Sequence, residues 1–364
     1  MNDDFITPLL AWFSQEAADL PWRNTRDPYR IWLSEIMLQQ TQVSTVIPYY
    51  ERFLETYPTV HDLAAASQDE LLKQWEGLGY YSRARNLHTA AKQIVSEYNG
   101  QLPTNADELQ HLKGIGRYTA GAIASIAFGE AVPVLDGNVI RVFTRLFDIA
   151  DDVRQQNTQK HLWQIAEELI KAVPEGRAGD YNQALMELGR TICKPQNPLC
   201  ERCPIAEHCF ALKNNVQNER PIKTKKPPTP HYDVTCGLIW NEDGQLLITK
   251  RRDDALLGGL WEFPGGKIEE GETLEACLAR ELREELGIKV EVGTLYMRVK
   301  HAYTHFKITL HAFNCHLMAN SPPPSCHDCQ AFQWVSVSEL SDYAFSRADR
   351  YIIEDLQNRQ YRLL

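Results

Sequence analysis

Four cysteines, Cys193, Cys200, Cys203 and Cys209, fall within 17 residues, and none precedes them. Thiolates are soft ligands, and four so close in sequence can converge on one metal centre. Zinc sites usually pair two Cys-x2-Cys units, and only Cys200 and Cys203 have that spacing. The irregular spacing favours an iron–sulfur cluster and leaves zinc open. Two acids stand where proton chemistry is conceivable. Glu35 lies in Ile31-Trp32-Leu33-Ser34-Glu35-Ile36-Met37, whose apolar neighbours would raise its pKa if it is buried; on a helix's polar side it would be an ordinary exposed glutamate. Asp136, in Val134-Leu135-Asp136-Gly137-Asn138, is either a carboxylate at the mouth of a cleft or the N-cap of the next helix. In Lys113-Gly114-Ile115-Gly116-Arg117-Tyr118 two glycines open a helix, so backbone amides can grip a phosphate there. A plain packing hairpin would use the same glycines. Further on, Glu281, Glu284 and Glu285 fall at i, i+3 and i+4 of a helical pattern, on one face. Three carboxylates there repel one another unless a divalent cation neutralises them, and oxygen ligands suit magnesium.

The elements that must hold these residues change character along the chain. Before residue 230 the pattern is helical. Asp27-Pro28 reads as an N-cap followed by proline at the first helical position. Helical spacing recurs over residues 62–75, 83–98, 118–128, 138–149 and 158–172, with no convincing strand. Residues 213–230 carry Lys213, Arg220, Lys223, Lys225 and Lys226 among four prolines and read as a basic linker. Beyond it, Val234–Trp240 and Gln245–Lys250 read as a strand-turn-strand unit, Leu274–Leu286 as a helix, and Tyr296–Ala302 and Phe306–Leu317 as further strands, an α+β texture. Cys236, Cys277 and Cys315 look like small buried hydrophobes, and Cys326-His327-Asp328-Cys329 like a loop.

The chain has 364 residues, 43% of them hydrophobic and 24% charged, which is globular and too long for one ordinary core. No apolar run reaches the roughly 18 residues of a membrane span, and the acidic start lacks a signal peptide's basic region. A cytoplasmic location and reduced cysteines are therefore expected, with disulfides the poorer explanation. The net charge of −10 taken alone argues against a nucleic-acid partner.

Against that stands a resemblance. The hairpin, the Leu-Asp-Gly-Asn motif and the cysteine spacing occur in the order seen in the helix-hairpin-helix glycosylase superfamily. Leu20-Pro21-Trp22-Arg23, Glu35 to Gln42 and Gly77-Leu78-Gly79-Tyr80-Tyr81-Ser82-Arg83 are similar to the MutY family of adenine DNA glycosylases, a likeness covering about residues 8–212. Gly266-x5-Glu272-x7-Arg280-Glu281-Leu282-x-Glu284-Glu285-x-Gly287-Ile288 is a complete Nudix box, and Phe263-Pro264-Gly265-Gly266-Lys267 extends the likeness to MutT-type domains. The adenine glycosylases commonly carry such a domain with an eroded box; here the box is intact.

The resemblance implies a multidomain chain. Residues 1–212 would be an all-α, two-lobed helix-hairpin-helix glycosylase domain with a 4Fe-4S loop, residues 213–230 the linker, and residues 231–364 an α+β Nudix domain. It implies a double-stranded DNA partner containing adenine opposite 8-oxoguanine or guanine, acted on by a monomer. Glu35 would protonate the departing adenine, Asp136 would stabilise the sugar cation and Asn138 would orient the pair. Tyr118 occupies the position at which related bifunctional enzymes hold a Schiff-base lysine, which implies a monofunctional enzyme. Gln39 and Tyr80 match positions that wedge into the duplex, once the target base has left the stack. Arg23, Arg83, Lys113, Gly114, Gly116 and Arg117 would contact DNA. In His301-Ala302-Tyr303-Thr304-His305, Tyr303 and Thr304 replace the family's Phe and Ser, so Tyr303, Thr304 and His305 would read the lesion. Two alternatives remain: the same glycosylase with an active Mg2+-dependent Nudix pyrophosphohydrolase, and an endonuclease III-type pyrimidine glycosylase/lyase.

Overall fold

The computed structural model describes residues 3–225 and 227–361, so Lys226 of the basic segment and the first two residues lie outside it. The chain forms two compact units, Met1–Ala65 with Asn86–Lys226 and Ala66–Arg85 with Pro227–Leu364.

The first unit is helical, as its periodicity predicts. The helix Pro28–Leu38 starts where Asp27 accepts a hydrogen bond from Tyr29 N (2.9 Å) and proline presets the first turn. It buries Ile31, Trp32, Leu33, Ile36 and Met37. The predicted helices at 118–128, 138–149 and 158–172 appear as Arg117–Phe128, Gly137–Leu146 and Gln156–Ile170. The periodicity reading missed the helices Ile6–Glu16, Val43–Thr56 and Ala178–Thr191, along with the short ones Ala106–Leu109 and Phe210–Lys213. The cysteine segment runs through two short 3-10 turns, Cys200–Arg202 and Ala206–His208. The basic segment is laid onto this unit at least as far as residue 224. Val153 N donates to Ile222 O (3.1 Å), and Thr224 N donates to Asp152 (3.0 Å). No helix among the described residues is long and apolar enough to cross a membrane.

The second unit takes residues 66–85 from the N-terminal half. The predicted helix 62–75 breaks in two, Val60–Ala65 and Gln68–Trp75. Ser67 caps the second through a reciprocal box with Glu70. This piece is fixed to the later strands by Lys250 Nζ to Asp69 (2.5 Å), Gln68 Nε2 to Asp253 (2.7 Å), Arg85 Nη1 to Gly258 O (2.5 Å) and Phe345 N to Glu76 (3.0 Å). The strands are β1 (His231–Trp240), β2 (Leu246–Lys250), β3 (Trp261–Glu262), β4 (Val290–Ala302), β5 (Lys307–Leu317) and β6 (Ala331–Val335). The sheet order is β3-β2-β1-β5-β4, with β6 on β2 and β1 parallel to β5. Alternation along β1 sends Leu238 to one core with the helix Arg347–Tyr361 and Ile239 to another with the helix Leu274–Leu286, so the sheet is covered on both faces. Each fully buried leucine in these cores contributes roughly 1.5–3 kcal/mol.

Candidate active site

In the first unit a cavity of about 880 Å³ is lined by Glu35, Gln39, Tyr118, Asp136 and Asn138, together with Arg23. Its volume lies within the usual range for small-molecule clefts. Glu35 is buried on the helix Pro28–Leu38, and its Oε2 accepts a hydrogen bond from Tyr118 OH (2.8 Å). Burial pushes the Glu35 carboxyl up to about 7. The Tyr118 hydrogen bond and the Arg23 charge pull it down, and Asp136 pushes it further up. Burial likewise drives the Tyr118 phenol well above its ordinary range. Its hydroxyl therefore stays protonated and can only donate to a charged Glu35.

Asp136 turns out to be both things its context allowed. It caps the helix Gly137–Leu146, accepting from Asn138 N (2.9 Å) and Val139 N (2.7 Å), and it lines the cavity. Asn138 Nδ2 donates to its other oxygen (2.8 Å). Burial raises Asp136, while these donors and Arg141 hold it down. Arg141 Nη2 in turn donates to Asn138 Oδ1 (2.8 Å) and its Nε to Cys193 O (2.6 Å), so the cavity and the cysteine loop share one hydrogen-bonded chain.

Several predicted DNA contacts are placed differently. Arg23 is not a surface cation. Its Nη2 donates to Glu187 (2.8 Å) and its Nη1 to Ala18 O (3.0 Å), in the cavity wall. Arg117 pairs with Glu167 and stacks over Trp163 at 3.8 Å. Arg83 is buried and donates to the carbonyls of Leu78 (3.3 Å) and Gly79 (3.1 Å), organising the loop before it. Lys113, Gly114 and Gly116 do remain exposed ahead of the helix Arg117–Phe128. Gly114 has φ +78°, and a Cβ there would lie 2.6 Å from Asn86 Cβ, so the hairpin demands glycine. Gln39, at the end of the Pro28–Leu38 helix, donates to Thr119 Oγ1 (3.2 Å).

Sequence reasoning missed Gln183, Met186, Glu187 and Arg190, which also line the cavity from the helix Ala178–Thr191. Their i, i+3, i+4, i+7 spacing was the available signal, a mostly polar stripe on an otherwise apolar helix.

Burial, with the neighbouring thiols adding to it, raises Cys200 and Cys209 and pushes Cys203 up to about 12. Arg145 Nη1 lies 3.2 Å from Cys193 Sγ. Among the described residues no three His, Cys, Asp or Glu side chains converge tightly enough for a single ion. Four neighbouring free thiols, with a guanidinium 3.2 Å from one sulfur, fit a cluster, whose binding would displace their protons.

In the second unit Tyr80 has φ +51°, and its hydroxyl lies 2.5 Å from Thr304 Oγ1. Thr304 and His305 are exposed in the turn from β4 to β5, and Tyr303 stacks on Phe306 with ring centroids 4.7 Å apart. A second cavity of about 370 Å³ is lined by Tyr303, Glu262, Glu281, Glu285, Lys267 and Asp349, among others. Burial, with Glu262 and Glu281 alongside, pushes Glu285 up to about 8. A Cβ on Gly266 would sit 2.2 Å from the Glu281 carboxyl carbon, so the glycine makes room for that carboxylate. Glu284 does not line this cavity. Arg280 holds Glu272, Glu281 and Glu284 at 2.7–3.0 Å, so one guanidinium offsets part of the charge on that face. Cys326 and Cys329 form a disulfide, correcting the expectation of reduced cysteines. Their Cα atoms, 5.1 Å apart, fall within bridging range. The turn they close caps the box helix, with His327 N donating to Glu285 O (2.8 Å).

Residues 33–168 match the HhH-GPD superfamily of base excision DNA repair proteins, residues 193–209 the iron–sulfur binding domain of endonuclease III, and residues 235–355 the NUDIX domain. With these matches, a buried acid lining an open cavity, a glycine hairpin and four thiols make this a DNA N-glycosylase of the helix-hairpin-helix class, with an iron–sulfur cluster and a Nudix domain. The adenine DNA glycosylase of Mus musculus is 36% identical over 402 residues, covering 94% of this chain and 76% of that protein. That of Buchnera aphidicola (strain Sg) is 38% identical, covering 84% and 85%. The chain belongs to the adenine DNA glycosylase family. The solved structure of a thermostable thymine-DNA glycosylase aligns with a TM-score of 0.52 at 32% identity, covering 58% of this chain and 95% of that one.

Proposed function

We propose that this protein removes adenine mispaired with 8-oxoguanine or guanine in double-stranded DNA, as a monofunctional glycosylase. The observation that carries the reading is Glu35, buried in the cavity and held near neutral pKa beside Asp136 and Tyr118. Cleaving a purine N-glycosidic bond needs a proton on the leaving base and an anion near the oxocarbenium-like sugar. Glu35 supplies the proton, because its pKa keeps it substantially protonated at physiological pH. Asp136, whose three N–H donors favour its charged form against the burial that raises it, supplies the negative charge, and Asn138 fixes its oxygen. Tyr118 offers no amine, so no Schiff base forms and the strand stays intact; this disfavours the endonuclease III-type lyase. The Gly114–Gly116 hairpin receives a phosphate, Gln39 and Tyr80 enter the duplex, and the turn of Tyr303, Thr304 and His305 reads the opposite lesion. The cluster, held by Cys193, Cys200, Cys203 and Cys209, cross-links the loop that Arg141 ties to Asn138. The working species is a cytoplasmic monomer, with residues 1–212 and 231–364 as its glycosylase and Nudix domains. Incubation with an A:8-oxoguanine duplex should give abasic sites and no strand breaks until alkali is added. Immediate cleavage would refute monofunctionality, and an untouched duplex would refute the substrate.

A second reading is favoured by the acidic cavity of the Nudix unit: Glu281, Glu284 and Glu285 would hold Mg2+ for pyrophosphate release from oxidised dGTP. Binding there requires Glu285 to lose the proton that burial favours and Arg280 to release Glu281 and Glu284. Calorimetric titration with Mg2+, and assay of 8-oxo-dGTP against a Glu284→Gln/Glu285→Gln variant, decide it. Equal turnover by the two proteins leaves the box a scaffold.

A further inference from the structure

The wall of the base cavity holds a third carboxylate that the excision chemistry above does not use. Glu187 is 2% exposed and lies on the helix Ala178–Thr191. It accepts three charged hydrogen bonds: from Arg23 Nη2 (2.8 Å), from Arg190 Nε (3.0 Å) and from Arg190 Nη2 (2.5 Å). Arg23 and Glu187 are 164 residues apart in sequence, so this pairing is a product of the fold. Burial would raise Glu187, but the two guanidinium groups outweigh it and hold the carboxyl below its ordinary range. One cavity thus contains a glutamate whose ionised form is favoured and another, Glu35, whose carboxyl burial pushes up to about 7.

We propose that Glu187 is a positioning residue for base excision: it anchors Arg23 in the cavity wall and balances that cation's charge against the general acid. The inference rests on Glu35 being that acid. The groups facing Glu35 are Tyr118 from the helix Arg117–Phe128, Asp136 from the cap of the next helix, and Arg23 from the turn Pro21–Arg23. Behind Arg23 stand Glu187 and Arg190. An unbalanced Arg23 stabilises the ionised form of Glu35 and costs the enzyme its proton donor. A buried carboxylate bridging two guanidinium groups removes that pull while keeping Arg23 in place to meet a base in the cavity.

The test is the pH profile of single-turnover excision from an A:8-oxoguanine duplex by the cluster-loaded full chain. In Glu187→Gln the basic limb should move down by about one unit, so that excision falls roughly tenfold at pH 8 and much less at pH 5.5. Glu187→Asp, which keeps the charge, should keep the limb near its wild-type position. Arg23→Met should move the limb up, and the Glu187→Gln/Arg23→Met double variant should bring it back toward wild type. A limb that stays put in Glu187→Gln, with activity reduced equally at every pH, overturns the proposal and leaves Glu187 a structural ion pair. If Glu187→Gln fails to fold, an Arg23→Met limb that does not rise overturns it instead. Glu35→Gln separates the two readings: if it excises adenine, the general-acid assignment itself falls.

Discussion

A buried acid held near neutrality should weaken the fold that holds it, and Glu35, the proposed proton donor, allows the effect to be sized. Its carboxyl rises from 4.5 to about 7 because it is buried. The folded protein therefore binds a proton there that the unfolded chain releases at lower pH. The Glu35 contribution to stability is fully present below about pH 4.5, declines as pH rises toward 7 and stays lost above it. A shift of that size corresponds to about 3 kcal/mol. Glutamine titrates in neither state and can still accept the Tyr118 hydrogen bond, at a cost of about 1 kcal/mol for its less well-placed amide. Glu35→Gln should then stabilise the helical unit by about 2 kcal/mol at pH 8, or roughly 4–8 °C in melting temperature, and destabilise it slightly, by about 0.5 kcal/mol, at pH 4.5, where the amide cost outweighs what is left of the ionisation gain. Excision should meanwhile fall by about 10²–10⁴-fold. Thermal unfolding followed through the cluster's visible absorbance, at both pH values, measures the difference. A variant no more stable than wild type at pH 8, or equally shifted at both pH values, would refute the burial argument.

Three further outcomes follow from the same contacts. Tyr118→Phe removes the hydrogen bond that lowers Glu35, so the basic limb of the pH–rate profile should rise, by about half a unit to one unit, in single-turnover assays. Asp136→Asn retains an oxygen to cap the helix Gly137–Leu146 but loses the anion; excision should drop by about 10²–10³-fold while the melting temperature changes by only a few degrees. Thr304→Val breaks the contact with Tyr80, worth about 1 kcal/mol, and should reduce the preference for 8-oxoguanine over guanine opposite adenine about fivefold in competition assays.

Chemistry that is local in sequence was legible; chemistry assembled across the fold was not. The Nudix box needs only helical periodicity to align its acids, and the helix Leu274–Leu286 forms over the predicted residues. The proline-led helix Pro28–Leu38 likewise announces itself through Asp27 and its apolar run. By contrast, nothing near Arg23 in sequence reveals that Glu187 will claim it, and nothing near Arg83 foretells the carbonyls of its own loop. The break at residue 67 was readable, since Ser67-x-x-Glu70 is a capping box, but the apolar spacing ran through it and was weighted more heavily. Residues 66–85 folding with the C-terminal strands had no local signal, because ion pairs such as Asp69–Lys250 join segments far apart in the chain.

The net charge is the sequence feature most in need of reinterpretation. An acidic chain that works on DNA looks contradictory only if every arginine is counted as a phosphate ligand. Arg23 is spent on Glu187, Arg117 on Glu167, Arg141 on Asn138 and Cys193, and Arg145 on the cysteine loop. Acids are spent in the same way: Glu272, Glu281 and Glu284 answer to Arg280. Net charge adds groups already committed to one another, whereas a polyanion meets those left over. At the hairpin those are Lys113 and the amides around Gly114 and Gly116, whose partial charges never enter a count of lysines and arginines. A site can therefore attract a phosphate locally while the whole molecule repels DNA at long range. On the function proposed above, recognition then falls to the cavity and the turn of Tyr303, Thr304 and His305 more than to electrostatic attraction.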